Sequence, residues 1–565
     1  MDRRFLAAIG LMMLVVLAPT ILYKRPPRPT PAAEVPPSVG APDSAAASLP
    51  RARAPGVRSP APTAVPPLAA PTPAAEDTVV VRSGLYQYSL STRGARVIGA
   101  QLLRYRSMAA GEQAGAAELV RTGDGLFALS LVTGNDTLSL SDWRFTPSAT
   151  EVRVSGETPV TFTATHGATS GATTTVELTY TFSPDDYRMA VRGRVTGLGP
   201  NGGLLIVGLG EGLRNTEADS SLNARDFALV VRPVARDPQA ILFRKVSVGE
   251  TRVEPGPFTW VAVKSKYFVL GVFAPDSAAR WAAAEMRRED PTKVPHYAGL
   301  RLSLPVAADG NFGWRTYAGP MEYPRLGAMG DDFDDVNPYG WPGFRTVLRP
   351  IALGFRWLFV QMHERLGLAY GLVLILFGLI VRGVLWPLNQ KAMRSAMEMQ
   401  AIQPKLQEIQ ARYKNDPPRL QQEMFALYKE HGVNPMGGCW PMLVPMPILL
   451  ALFFVLQGTI EIRGVSFLWF PDLARADPFF IIPVLSGLTM FALSKLGQRG
   501  LPPNPQAQMM MYMMPVMMTF VGFNFASGLN LYWTASNLAS LPQQYFLGQE
   551  RLKRQGAAVV VGTKK

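Results

Sequence analysis

Gly371-LVLILFGLIV-Arg382-GVLWP-Leu388 is an apolar run interrupted by a single cation, and its reading decides the fold. Residues 370–387 suffice to cross about 30 Å of hydrocarbon as a helix. A guanidinium is not neutralised inside a protein, so the bilayer must let it reach the surface or house it in a wet cavity. At a helix centre its insertion costs roughly 2.5–3.5 kcal/mol on translocon scales. Leu388 is only six residues on. That is roughly 9 Å along a helix, so snorkelling to the headgroups stands open beside a functional role.

Working outward, comparable apolar stretches occupy 440–459, 479–496, 508–526 and 528–547. Met1-DRRFLAAIGLMMLVVLAPTIL-Tyr23 adds a sixth. Pro19 just beyond Ala18 makes a poor cleavage site, so residues 1–23 read as a retained anchor rather than a signal peptide. Loop charges orient the spans. Seven Lys/Arg lie in 388–438, against only Arg463 and Arg475 in 460–478, and the tail 549–565 is basic. The expected topology has both termini in the cytosol and the intervening domain outside. The composition agrees, with 48% hydrophobic and 17% charged residues. The formal charge of +14 is scattered rather than clustered, so topology explains it better than nucleic-acid binding. Cys439 is the only cysteine, which excludes a disulfide framework or a thiolate metal cluster.

Between anchor and spans the pattern changes twice. Residues 24–78 hold fifteen prolines and read as an extended, disordered linker. From 79 to 340 the period is two. Thr175-VELTYTF-Ser183 places Val176, Leu178, Tyr180 and Phe182 on one face, and Met189, Val191 and Val195 repeat this around Gly193. Leu204-LIV-Gly208 and Tyr267-FVLGV-Phe273 read as buried strands. The expectation is a large all-β sandwich acting as scaffold or docking surface. Residues 341–368 mix Arg345, Arg349, Arg356 and Arg365 with Phe355, Trp357 and Phe359, which suits a helix lying in the membrane interface. Within 388–438, Ile402, Leu406, Ile409 and Tyr413 form one stripe and Leu420, Met424 and Leu427 another. Asn415-Asp416-Pro417-Pro418 breaks between them, giving a helical hairpin with Asp416 as cap.

Catalytic constellations are missing from the spans, which carry no His and no clear Asp or Glu. Intramembrane proteolysis and proton-coupled transport are therefore disfavoured, and no metal spacing or cofactor loop appears elsewhere. The spans hold neutral polarity instead. Asn530, Thr534, Asn537 and Gln544 fall on one helical face, widened by Ser536, Ser540 and Gln543. Hydrogen bonding between helices accounts for such residues in many bundles. A polar stripe beside an Arg without an acidic partner fits a water-filled cavity. Gln508-MMMYMMPVMM-Thr519 carries seven methionines in ten positions, an adaptable apolar surface.

Arg382-GVLWPL, Gln403-PKLQEI, Glu423-MFALYKEHGVNPMGGCWPML and Ser527-GLNLYWTASN, with Trp260-VAVKSKYFVL in the β region, resemble the YidC/Oxa/Alb family of membrane protein insertases. The resemblance covers essentially the whole chain. It implies a polytopic α-helical membrane protein of six spans, with a five-span insertase core in 369–548, a periplasmic super-sandwich and a cytosolic hairpin. It further implies a lipid-open groove, closed toward the periplasm, in which Arg382 attracts acidic residues of an incoming segment. Asn530, Tyr532, Thr534, Asn537 and Gln544 would supply groove polarity. Met446, Leu449, Phe453, Met510 and Met514 would form the slide along which the apolar segment leaves. Gln403, Pro404 and Tyr428 mark the hairpin that recruits substrate or ribosome. Nascent inner-membrane proteins are the implied substrates and the Sec translocon an implied partner. No cofactor and no catalysis are expected. Three departures stand out. Trp533 follows Tyr532 where familiar members carry a second tyrosine, Pro445 stands before Met446 where they carry Gln, a source of a kink in the third span, and the short, modestly basic tail argues against strong ribosome binding. The competing readings are a transporter or flippase using Arg382 to bind an anionic solute, and an anchored carbohydrate-binding module.

Overall fold

Alternation at 176–182 becomes strand Thr173–Phe182, whose Val176, Leu178, Tyr180 and Phe182 are all buried. This computed structural model describes residues 77–562 apart from 112–114, 135, 168–172, 199–201, 276–279, 341–342, 433–444 and 501–504. It gives backbone alone at 167, 388–389, 391–401, 403–404, 445, 505–507 and 554–562. The expected anchor and linker at 1–76 therefore lie outside the described residues.

The β region forms a five-stranded and a fourteen-stranded sheet. Strand Thr173–Phe182 sits between Thr158–Gly167 and Arg188–Val195, antiparallel to both. Three tryptophans, Trp260, Trp281 and Trp314, fill the core with almost no exposure. At Gly193 a Cβ would stand 2.3 Å from the Phe312 ring, so the glycine makes room for an aromatic ring from strand Asn311–Pro320. Strand Phe268–Phe273 is buried throughout, as its unbroken apolar run implies. Strand Gly203–Gly208 is not. Leu205 and Val207 are buried but Leu204 and Ile206 only half so, because an apolar run alone does not reveal how well its outer face is covered.

Ten helices are described: α1 (Ser220–Ala224) and α2 (Tyr323–Ala328) in the β region, then α3 (Arg345–Leu366), α4 (Tyr370–Ala401), α5 (Gln403–Arg412), α6 (Pro417–Glu430), α7 (Pro445–Gly458), α8 (Ile481–Gly497), α9 (Pro505–Gly522) and α10 (Ser527–Gly562). α3 stops where Gly367 adopts φ +64°, a left-handed cap that a side chain would strain. Among the described residues one helical stretch, Tyr370–Pro387, is long and apolar enough to cross a membrane. Met446–Gly458 and Ile481–Gly497 are shorter apolar helices. The expected span at 440–459 begins within undescribed residues. The expected last span is diluted by the polar residues that α10 carries.

Neighbouring residues set helix directions. Leu374 meets Gly528, Gly378 meets Tyr532 and Ala535, and the Trp386 carbonyl accepts from Gln543 at 3.4 Å, so α4 and α10 run parallel. Asn537 faces Ser486 and Thr489 while Gln544 faces Gly497, so α8 runs with them. α9 opposes α8, with Thr519 against Gly487 and Tyr512 against Phe491. α7 meets the start of α10, its Phe453 resting on Phe525 just before α10 begins.

The loop after α7 caps one end of this bundle. Phe470, Leu473 and Ala474 are buried in it, and Phe467 packs on Gly371 at the start of α4. Asp477 holds the first turn of α8 by accepting from the backbone N–H groups of Phe479 (3.0 Å) and Ile482 (2.8 Å). Arg463 reaches into the β region. Its Nε donates to Glu217 at 2.8 Å, and its terminal nitrogens donate to the carbonyls of Arg106 and Thr216 at 3.0 Å each.

Candidate functional site

The α4–α10 seam changes character midway along its length. On the side of the capping loop it is apolar: Val373, Leu374, Phe377 and Leu529 are buried. Phe355 and Phe359 of α3 approach Phe377 edge-on at 4.8 and 4.9 Å, and Tyr532 lies 5.8 Å from it. One turn past the Gly378–Tyr532 contact the seam becomes polar, with Arg382, Ser536, Ser540 and Gln543 following. Gly378 faces Tyr532 and Ala535 with room for a methyl group, so the contact needs a small residue rather than a glycine.

Arg382 is half-buried, and its Nε makes no hydrogen bond among the described residues. No described carboxylate lies within ion-pair distance of it. Tyr532 lies one turn before Ser536 on the α10 face that meets α4. A buried cation without a counter-ion is a costly arrangement.

The expected groove polar residues divide into two sets. Tyr532 lies on the face of α10 that meets α4. Asn530 and Asn537 act as connectors: Asn530 Nδ2 donates to the Gly522 carbonyl at 2.9 Å, and Asn537 Nδ2 reaches α8 at 3.3–3.4 Å, whereas Thr534 Oγ1 donates within α10 to the Asn530 carbonyl at 2.8 Å. Gln544 is half-buried near Gly497, at the α8 face. Gln543 turns to α4 instead and leaves its Oε1 without a partner among the described residues.

The expected slide residues occupy two helices. Met446 is exposed on α7, whereas Leu449 and Phe453 are half-buried there. Met510 is exposed on α9 and Met514 half-buried. Met513, Val516, Met517 and Phe520 extend the open apolar face of α9. Trp533 lies edge-on to Phe525, which in turn touches Phe453. Tyr532 and Trp533 thus face different neighbours, Gly378 of α4 and the Phe525 ring beside α7.

α5 and α6 share a small apolar cluster of Ile402 and Leu427, with Leu406, Ile409 and Tyr428 packed on it. Asp416 caps α6 by accepting from the Arg419 N–H at 3.3 Å. The side chains of Gln403 and Pro404 lie outside the described residues. No group of three or more His, Cys, Asp or Glu that could hold a metal ion occurs among the described residues.

Residues 78–352 match the model of the YidC periplasmic domain, and residues 361–555 match that of the 60Kd inner membrane protein family. The membrane protein insertase YidC of Syntrophus aciditrophicus is 32% identical over 383 residues, 66% of this chain and 67% of the relative. That of Chloroherpeton thalassium is 30% identical over 506 residues, 84% and 83% of the two chains. A crystal structure of an active YidC insertase with its first transmembrane domain resolved is similar at 17% identity, with a TM-score of 0.33 and 84% of this chain and 95% of that chain covered. A β-sandwich matched by one family model, joined to C-terminal helices matched by the other, makes this chain a member of the YidC family of inner-membrane protein insertases, with a periplasmic β-sandwich domain.

Proposed function

We propose that this chain inserts nascent inner-membrane proteins, and assists their folding, through a polar groove along the inner half of the α4–α10 seam. The observation that carries the reading is Arg382, a half-buried cation with no carboxylate beside it among the described residues. An acidic residue in an incoming segment supplies the missing counter-charge, and low local dielectric strengthens the attraction. The short polar tail of a substrate crosses the apolar part of the seam after being drawn to this depth. Its apolar segment leaves between α7 and α9, past Met446, Leu449, Phe453, Met510 and Met514, because transfer to lipid is downhill.

In this reading the chain has six spans, with residues 1–23 as the first and both termini in the cytosol. The alternating helix directions support the five-span remainder. α4, α8 and α10 would descend from the periplasmic face and α7 and α9 return to it, with α3 along the outer interface. α5 and α6 would form the cytosolic hairpin that receives substrate. The Sec translocon is a partner for larger substrates, the ribosome a weak one, and the chain acts without a cofactor or covalent chemistry.

The test is depletion of the resident insertase in a bacterial host and rescue by this chain, scoring a single-span substrate with an acidic tail. Arg382→Ala is expected to reduce insertion about tenfold, the equivalent of ~1.4 kcal/mol, and Arg382→Lys to retain part of it. Parental insertion by the alanine variant would refute the groove charge.

A further inference from the structure

A second cation, Arg551 of α10, is buried without a counter-charge. It is 7% exposed, and no described carboxylate lies within ion-pair distance of it. Its Nη1 donates to the carbonyl of Gly497, the last residue of α8, which orients the guanidinium. No described group accepts from Nε or Nη2. Those two nitrogens form the side-on fork that suits a carboxylate. A cation is favoured at a helix C-terminus, so capping α8 accounts for Nη1. Burying the other N–H groups is a cost that the cap does not offset.

Arg551 continues the polar half of the seam. Ser540, Gln544, Leu547 and Arg551 fall at i, i+4, i+7 and i+11, which is one face of α10. Gln544 approaches Gly497 as Arg551 does. The contact of Gln543 with Trp386 sets the register between α10 and α4. Arg382 lies four residues before Trp386, and Arg551 eight after Gln543. The two cations are therefore roughly 18 Å apart along the seam. Arg551 stands at the inner end, the cytosolic mouth in the proposed topology. Lys495 near the end of α8 and Arg499 just past it are exposed. Arg499 approaches Gly548, three residues before Arg551, so the field at the mouth is positive.

We propose that Arg551 is a second receiving site for substrate carboxylates, placed at the mouth of the seam and inward of Arg382. The inference rests on the proposed function and extends it from one charge to a spaced pair. An extended tail covers 18 Å in about five residues. Two acids at that spacing engage both arginines at once, whereas two acids only two residues apart cannot span them.

The experiment reconstitutes the full chain in phosphatidylcholine vesicles, with or without phosphatidylglycerol. Single-span substrates carry one aspartate in the tail, or two placed two or five residues apart. The readout is the ratio of two-acid to one-acid insertion, which cancels any general loss from a weaker α8 cap. In the parent the five-residue spacing is expected to raise insertion about threefold, the effect of one solvated ion pair, and the two-residue spacing to raise it less. Arg551→Gln, which can still donate to a carbonyl, is expected to remove the gain, and Arg551→Lys to keep part of it. A gain that survives Arg551→Gln overturns the inference and leaves Arg551 as the cap of α8. If that variant does not accumulate, the parent decides, and equal gains at both spacings overturn the inference. A gain that follows phosphatidylglycerol content rather than aspartate spacing assigns the site to a lipid phosphate and overturns it too. Indifference of the one-acid substrate to Arg382→Ala would instead sink the groove charge itself, a result separable from the ratio.

Discussion

The β domain and the α4–α10 seam bury opposite kinds of side chain. The domain encloses Trp260, Trp281 and Trp314 among Phe and Tyr rings, with Gly193 hollowed to admit Phe312. The inner seam places Ser540 and Gln543 at full burial beside a half-buried arginine. Close-packed aromatic cores maximise dispersion and apolar transfer. A polar seam forgoes both. The difference teaches that close packing is concentrated in the β domain, and that the seam proposed to receive the substrate is left partly unsatisfied.

Four substitutions and one titration test that contrast, beginning with the largest effect. Trp314→Ala removes a ring that touches those of Phe127, Trp281 and Phe312 at 5.7–6.2 Å. Its expected cost is about 3–5 kcal/mol of domain stability, read by pulse proteolysis, and a loss below ~1 kcal/mol would break the comparison. Gly193→Ala should cost about 1–3 kcal/mol through overpacking, measured the same way. Arg382→Met should have the opposite sign, raising thermal stability by about 0.5–2 kcal/mol while insertion falls. A destabilised Met variant would mean that the arginine is already satisfied. Asn537→Ala, whose bonds to α8 are 3.3–3.4 Å long, should cost only about 0.6 kcal/mol in a thermal melt.

The titration concerns Lys264, whose ammonium burial holds below the usual lysine range. Between that lowered value and the ordinary one the unfolded chain binds more protons than the folded chain, so domain stability should rise with pH there. Lys266 shifts the same way from burial and adds to the slope. Tyr267, pushed upward by burial, opposes it once pH passes the ordinary tyrosine value. Lys264→Met should flatten the rise in a pH series of melts.

Much of this was legible in the chain. Val176 to Phe182 alternate because a strand covered on one face must, and Arg382 stands out because an apolar span gives it no neighbour of its own kind. The polar face of α10 was legible as a face but not as a division of labour. Which of Asn530, Asn537 and Gln543 bonds to a neighbouring helix depends on helix directions that no local period encodes. Arg463 was invisible as a contact with the β domain. It looked like one of two loop charges, since its partner Glu217 is 246 residues away in sequence.

The capping loop has a consequence for bioenergetics. A water-filled path through the membrane would short-circuit the proton gradient, and a single hydrated file suffices to leak. Phe470 and Leu473 are buried at the end of the bundle where Phe467 packs on Gly371, with Phe377 farther along α4, so an apolar layer lies beyond the polar half of the seam. Narrow apolar constrictions exclude water by dewetting. If the polar half is the proposed hydrated groove, this layer would keep the cell's ion gradients intact between substrates.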